Sequence, residues 1–449
     1  MKPILSCHVV AMPYPGRGHI NPMMDLCKLV AGKSSSILVT FVLTEEWLGL
    51  IGSSAKPDNI RFATIPNVIP SEHVRGSDPN GFAMAVLSKM EEPFERLLNE
   101  LQLSPTLIIA DAVVPWAADV ASRRNIPLAV LWPMSASVFS VFYHFDLLVQ
   151  HGHFPVNLSV NGNDIVDCIP GLSPIRGLDL PTVMRLEENY QRFLKAPLQA
   201  IHKAQYLLLA SVYELEAEVI DALKAKASCS IYTICPTTTH FKVKDSNGDL
   251  NYLKWLNLQP PNSVLFVSLG SYLSISGSQM DEIAAGLCKS GTSFLWAARG
   301  ETLRLKEICG EKGLVVPWCD QLSVLCHPSI GGFLSHCGWN STKEAILAGV
   351  PILTFPIMMD QVMNAKMIVE DWQIGWRVKR EFDKDNLAKR DEIAELVQKF
   401  MNLESGERKQ LTKKARETQQ ACEREFAEGG AFQIYLDGFT RSILQYHHH

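Results

Sequence analysis

Apolar and polar positions along this chain follow two rhythms. Short runs dense in Val, Ile, Leu and Phe recur at 8–14, 37–43, 61–65, 106–111 and 127–132, and predict strands. Between them, near 81–101, 115–124 and 135–150, apolar residues fall at helical spacing. Another helix is expected from Asn21, with Asn21 as its cap and Pro22 at the first helical position. Continuous apolar strands alternating with helices imply a parallel sheet covered on both faces. The polar, Thr-rich stretch 233–250 breaks the rhythm and reads as a linker. The pattern then restarts with strands at 263–269, 293–298, 313–316, 330–335 and 350–355. Helices are expected from about Ser278 and from Asn340, and again over 406–446, where the chain turns charged and then aromatic. The class is therefore α/β with two domains, and no internal repeat is visible.

Composition narrows the function. The chain has 449 residues, more than one ordinary core holds. A net charge of -5 with no long basic block gives no footprint for nucleic acid. Eleven cysteines without a C-x-x-C pair suggest reduced thiols and a cytoplasmic location. The N-terminal apolar run is short and meets Pro13, so a first strand is expected rather than a signal peptide. Residues 125–145 are uncharged and long enough to span a bilayer. Pro127, Pro133, Ser135, Ser137 and Ser140 favour a strand, a loop and a buried helix instead. His447, His448 and His449 read as a tag remnant and are set aside.

Two turns carry chemistry. After the first strand comes "MPYPGRGHINP". Gly16 and Gly18 begin a G-x-G-x-x-G fingerprint, but Asn21 stands where the third glycine belongs. The loop then presents His19, whose imidazole suits proton transfer near neutral pH. Asp111 ends the strand "TLIIAD" and can face the same side, where a carboxylate would fix the imidazole tautomer. The second turn, "HCGWNS", is a strand end, a glycine and a helix N-terminus capped by Asn340 or Ser341. Such a turn aims backbone N–H groups at an anion.

The 44 residues from Trp318 to Gln361 resemble the signature box of plant family-1 UDP-dependent glycosyltransferases. Trp318, Gln321, His327, His336-Cys337-Gly338, Asn340-Ser341, Glu344, Gly349-Val350-Pro351 and Asp360-Gln361 stand at matching spacing. "WLNLQPPNSVLFVSLGS" (255–271), "GRGHINP" and "LIIADAVVPWAADVA" extend the likeness over nearly the whole chain, more sparsely in 45–100 and 150–230. The resemblance implies two Rossmann-like domains facing across a cleft, the GT-B architecture. The acceptor-binding domain would be 1–235, the linker 236–250 and the UDP-sugar domain 251–425, with a helix in 426–446 returning to the first domain.

It also implies roles. Trp318, next to Cys319, would stack on uracil, Gln321 would approach the ribose and Glu344 would accept from its hydroxyls. His336, Gly338, Asn340, Ser341 and Ser271 would hold the diphosphate, and Trp339, Asp360 and Gln361 the sugar. His19 with Asp111 would act as base in an inverting transfer of glucose from UDP-glucose. The expected acceptor is a small hydroxylated phenolic, flavonoid or terpenoid. The residues that would line its pocket are Tyr14, Trp132, Phe142, Phe145, Met184 and Phe193. No cofactor, metal, nucleic acid or membrane insertion is expected, and the protein is expected to be a monomer. The triplet Asp383-Lys-Asp385 lies in a charged run that reads as a solvated face. Two other readings stay open: a non-catalytic UDP-sugar-binding protein and a dinucleotide oxidoreductase. Asn21 speaks against the second, and the presence of both His19 and Asp111 against the first.

Overall fold

Every residue of β1 (Cys7–Met12) and β2 (Ile37–Thr44) is buried, as continuous apolar runs require of strands covered on both faces. This computed structural model describes residues 7–52, 56–73, 75–76, 78–185, 188, 193–235, 251–270, 275–311, 313–378 and 387–445. They fall into two compact units. One is drawn from Met1–Leu178, Val183–Thr238 and Arg424–His449, the other from Asp179–Thr182 and Thr239–Glu423. The expected linker 236–250 and the Asp383–Asp385 triplet lie outside the described residues.

In the first unit the chain continues through β3 (Ile60–Ile65), β4 (Leu107–Asp111) and β5 (Leu128–Trp132). A two-strand ribbon, β6 (Ile165–Val166) and β7 (Ile175–Arg176), precedes β8 (Tyr206–Leu209) and β9 (Ser230–Thr233). The parallel sheet runs β3-β2-β1-β4-β5-β8-β9. Its order reverses between β1 and β4, and the carboxyl ends of such strands open a crevice. The second unit holds β10 (Val264–Ser268), β11 (Ser293–Ala297), β12 (Gly313–Val316), β13 (Ile330–Ser335), β14 (Ile352–Thr354) and β15 (Gly375–Arg377). Their order is β12-β11-β10-β13-β14-β15, with the reversal between β10 and β13. Among the described residues no helix is long and apolar enough to cross a membrane. The eleven cysteines are free thiols.

The first helix corrects the sequence reading. It spans Arg17–Lys33 with Gly16, not Asn21, at its N-cap, and Pro22 lies inside it. The Ile20 N–H already reaches the Gly16 carbonyl at 2.8 Å, so the helix is under way before the proline. Proline that early forgoes one bond to the Gly18 carbonyl, which the buried stripe Ile20, Met23, Met24, Cys27, Val30 and Ala31 offsets. The stretches 81–101 and 135–150 each divide into two helices, Pro79–Lys89 with Glu91–Glu100 and Ala136–Tyr143 with Phe145–Gln150.

The C-terminal helix Ala431–Gln445 rejoins the first unit. Leu436, Phe439 and Ile443 enter the core that also holds Val30, Ile37 and Tyr206, and Phe439 meets the Tyr206 ring edge-on at 5.6 Å. Just before it, the buried Glu425 carboxylate accepts the Glu214 N–H at 3.1 Å. Burial pushes the Glu425 carboxyl up to about 7, while backbone N–H groups of Tyr213 and Glu214 pull it down. An acid raised in this way from its ordinary 4.5 gives stability that is fully present below that value and lost as pH rises through about 7. Glu425→Gln cannot titrate. Its melting temperature should therefore gain on the wild type from about pH 5 to pH 8. Parallel melting curves across that range would show that the carboxyl is ionised throughout.

Candidate active site

The reversal point of each sheet gathers residues that the sequence singled out. In the first unit β1 and β4 are neighbours, and Asp111 is the last residue of β4. His19 sits in the first turn of the helix that follows β1. Its Nδ1 lies 2.8 Å from Asp111 Oδ2. The other carboxylate oxygen accepts the Val113 N–H at 3.1 Å. The Asp111 side chain is fully buried, whereas 26% of the His19 side chain remains accessible. A buried carboxylate must be hydrogen-bonded, and bonds to an ion are roughly twice as strong as neutral ones. The pair therefore makes Nδ1 the donor and leaves the lone pair on Nε2.

The loop before His19 is backed by residues that sequence reasoning missed. Arg75 Nη1 donates to the Pro15 carbonyl at 3.4 Å and pairs with Glu72 at 2.8 Å, both side chains buried. A Cβ at Gly16 would come within 2.7 Å of that guanidinium nitrogen. Gly16 thus serves close approach, and the approaching group is an arginine. The only signal was a Glu-x-x-Arg spacing in a stretch with sparse likeness to the family.

Of the six residues expected to line an acceptor pocket, Tyr14 stands beside His19, ring centroids 4.9 Å apart. The others are built into packing to different degrees. Trp132 donates its indole N–H to the Ser135 carbonyl and meets Phe139 and Phe142 edge-on. Phe145 stacks edge-on with Phe154 at 4.7 Å, Met184 is completely buried and Phe193 is half-buried.

In the second unit β13 ends at Ser335 and the helix Trp339–Leu347 begins four residues later. Its N-cap is Gly338, with no side-chain cap bond, so neither Asn340 nor Ser341 caps it. Both are inside the helix. Cys337 holds a positive φ of 65°, the conformation that turns the chain from strand to helix. His336 sits between two glycines: a Cβ at Gly338 or at Gly270 would come within 2.5 or 2.8 Å of its Nε2. Burial pushes its imidazole down to about 4, against a smaller upward pull from the Ser268 backbone, so it is neutral near pH 7. Ser271 lies outside the described residues.

Around this turn the box residues converge. Gln321 Nε2 donates to Glu344 Oε2 at 2.7 Å and to Ser341 Oγ at 2.9 Å. Trp318 is 57% exposed, a large indole face with little covering it. The neighbouring Cys319 is buried, and desolvation, followed by the charges of Asp320 and Glu344, pushes its thiol up to about 12. It remains a protonated packing residue. Trp339 is also buried, 6.3 Å from Trp372 and under the Lys343 ammonium, which turns its ring into the packing of the turn. Gln361 Oε1 accepts the Ile357 and Met358 N–H groups at 2.8 and 3.2 Å. That leaves the amide nitrogen as the end that can donate. Asn364 bridges Asp360 Oδ2 and the Cys337 carbonyl at 2.8 and 2.9 Å, locking the two turns together. The 360 turn is held further by Thr182, whose Oγ accepts the Met359 N–H at 2.8 Å.

Comparison with known proteins bears on this geometry. Residues 240–395 match the family model "UDP-glucoronosyl and UDP-glucosyl transferase". The chain is 48% identical to UDP-glycosyltransferase 87A1 of Arabidopsis thaliana, over 97% of this chain and all of that protein. Its fold superposes on a UDP-glucose: anthocyanidin 3-O-glucosyltransferase in complex with UDP, with TM-score 0.83, 25% identity and 99% of both chains covered. It also superposes on Phytolacca americana UGT2 complexed with UDP-2fluoro-glucose and pterostilbene, with TM-score 0.79, 26% identity and 97% and 99% covered. With two Rossmann-like sheets and a Trp318–Gln361 box formed at one reversal point, the chain belongs to the plant family-1 UDP-glycosyltransferases, enzymes of GT-B fold that act on a UDP-sugar.

Proposed function

We propose that this enzyme transfers glucose from UDP-glucose to a hydroxyl of a small, largely apolar acceptor, with inversion and without a metal ion. The observation that carries the reading is the His19–Asp111 pair at 2.8 Å, at the carboxyl ends of β1 and β4. His19 Nε2 takes the acceptor proton as the oxygen attacks the anomeric carbon from the face opposite UDP. One displacement turns an α-linked donor into a β-glucoside. Asp111 holds the tautomer and stabilises the imidazolium that forms. The growing charge on the diphosphate is met by the N–H groups of the helix Trp339–Leu347 and by the neutral His336. Trp318 stacks on uracil, Glu344 and Gln321 take the ribose, and Asp360 and Gln361 the sugar. Asn340, Ser341 and Ser271 complete the diphosphate set, and Tyr14 borders the acceptor. The proposed acceptor is a phenolic, flavonoid or terpenoid, and anthocyanidin and pterostilbene, a flavonoid and a phenol named with the two superposed proteins, support the first two classes. A cytoplasmic monomer that binds no nucleic acid completes the reading.

Donor choice is expected to follow from Gln361. Its fixed amide donates, and Asp360 accepts, at the equatorial 3- and 4-hydroxyls of glucose. The axial 4-hydroxyl of galactose leaves part of that set unpaired, at a cost of ~1–3 kcal/mol. The ratio kcat/KM should therefore favour UDP-glucose over UDP-galactose by roughly tenfold or more. The same assay, run with excess chelator and with the product's anomeric configuration read by NMR, tests the whole proposal. Equal efficiency with both donors, an α-glucoside, or a chelator loss that magnesium restores would each overturn the corresponding part.

A further inference from the structure

The strands that present the nucleotide turn at their carboxyl ends enclose a second cavity at their amino ends. It holds about 400 Å³ and is lined at its floor by Ile330 and Gly331, where β13 begins, and by Val350 and Pro351 before β14. The helix Gly406–Phe426 forms its wall, supplying Arg408, Lys409, Thr412 and Arg416. Among the described residues three cations thus line the cavity, and no carboxylate does.

Arg408 is the unusual member. It is 2% exposed, and its Nη2 donates to the Gly331 carbonyl. Its ring neighbour is Phe400, 4.8 Å from the guanidinium carbon. Nε and Nη1 have no hydrogen-bond partner among the described residues. The other buried arginine, Arg75, is matched by a buried Glu72 at 2.8 Å, which shows how this chain neutralises such a charge elsewhere. Here nothing comparable is supplied. Burial alone pushes Arg408 down to about 10, still cationic at neutral pH. An uncompensated buried guanidinium with idle donors is costly, and a phosphate group answers both needs.

We propose that this cavity binds a phosphate dianion, free or carried on a small monoester, with Arg408 turning the covered edge that holds its idle Nε and Nη1 to the anion, and Lys409 and Arg416 closing the mouth. The volume exceeds that of phosphate alone and is within the range of small-molecule pockets, so an ester substituent can be held too. Thr412 Oγ, which donates to the Arg408 carbonyl at 2.9 Å, offers no competing charge. Among the described residues Lys409 pairs with Glu404, on a carboxylate 87% exposed, and can exchange that partner. The amino ends of the strands lie opposite the nucleotide turn, so the ligand does not compete with UDP.

The test uses the full chain saturated with UDP, so that the nucleotide turn is already occupied. Inorganic phosphate and glycerol 3-phosphate are titrated separately by calorimetry. Alkylation of Cys326, an exposed thiol in the cavity lining, is followed by peptide mass spectrometry. One saturable site is expected, and at ten times its Kd alkylation should slow about tenfold. Tighter binding of the ester would identify a phosphorylated metabolite as the ligand, and equal binding the free ion. Arg408→Gln should abolish the site. Should that variant fail to fold, Lys409→Gln with Arg416→Gln, both exposed, should weaken phosphate roughly tenfold. The absence of saturable binding and of Cys326 protection, or identical binding by the exposed double variant, would overturn the proposal.

Discussion

His19→Ala should lower turnover by roughly 10²- to 10⁴-fold, the usual worth of a positioned general base. The contact that supports the size of the effect is the Nδ1–Asp111 bond at 2.8 Å, which commits one ring nitrogen and leaves the other for the acceptor. UDP affinity should hardly change, because the proposed nucleotide contacts are on the second unit. Folding should also survive, since 26% of the His19 side chain is accessible and it fills no core. Asp111→Asn keeps the shape and the Val113 bond but loses the charge, and the amide can present the wrong end to Nδ1. It should fall nearly as far as His19→Ala while melting close to the wild type. The assay needs an ordinary alcohol or weakly acidic phenol, because an acceptor that is already ionised bypasses the base. Near-wild-type turnover with such an acceptor would remove His19 from the chemistry.

Much of this architecture was legible in the sequence because parallel strands covered on both faces leave a signal that survives averaging. The runs at 37–43, 106–111 and 330–335 all became strands. The strands Tyr206–Leu209 and Gly375–Arg377 were missed for a physical reason. The first is four residues long, and the second is Gly-Trp-Arg, whose burial comes from neighbours rather than from its own apolarity. Helix starts were misjudged twice in the same way. Asn21 and Asn340 look like caps by type, but glycine one turn or two residues earlier does the capping. At both sites the backbone leaves the strand through a glycine because a side chain would collide, with Arg75 in one case and His336 in the other. Local propensity cannot report the collision at Gly16, since Arg75 comes from a distant part of the chain, whereas at Gly338 the partner His336 is two residues away. The box residues were legible because the family resemblance fixes their spacing from Trp318 to Gln361, across β13, the helix Trp339–Leu347 and β14. The Glu72–Arg75 support and the Thr182 contact were not, because they depend on which loops fold back on those turns.

Glu344→Ala should weaken UDP binding by about 1.5–3 kcal/mol, the worth of charge-assisted hydrogen bonds to a carboxylate, or roughly ten- to a hundredfold in Kd. In the structure Glu344 already accepts Gln321 Nε2 at 2.7 Å, and Gln321 in turn reaches Ser341 at 2.9 Å. A carboxylate has lone pairs enough for this donor and a ribose diol together. Removing it therefore costs the diol its acceptor and releases Gln321 from the position in which it would approach the ribose. Gln321→Ala removes only the second contribution and should cost less, and the double variant should cost less than the sum of the two because they share one network. Glu344→Gln preserves volume and part of the bonding, and should fall between wild type and alanine. Calorimetry with UDP measures all four, and with uridine it separates the ribose from the diphosphate, since the same loss should appear with both ligands. Equal UDP affinity in Glu344→Ala and wild type would make Glu344 a residue of helix packing alone. A loss seen with UDP but not with uridine would move its role from the sugar ring to the phosphates, where a carboxylate would be repulsive, and the ribose assignment would fail.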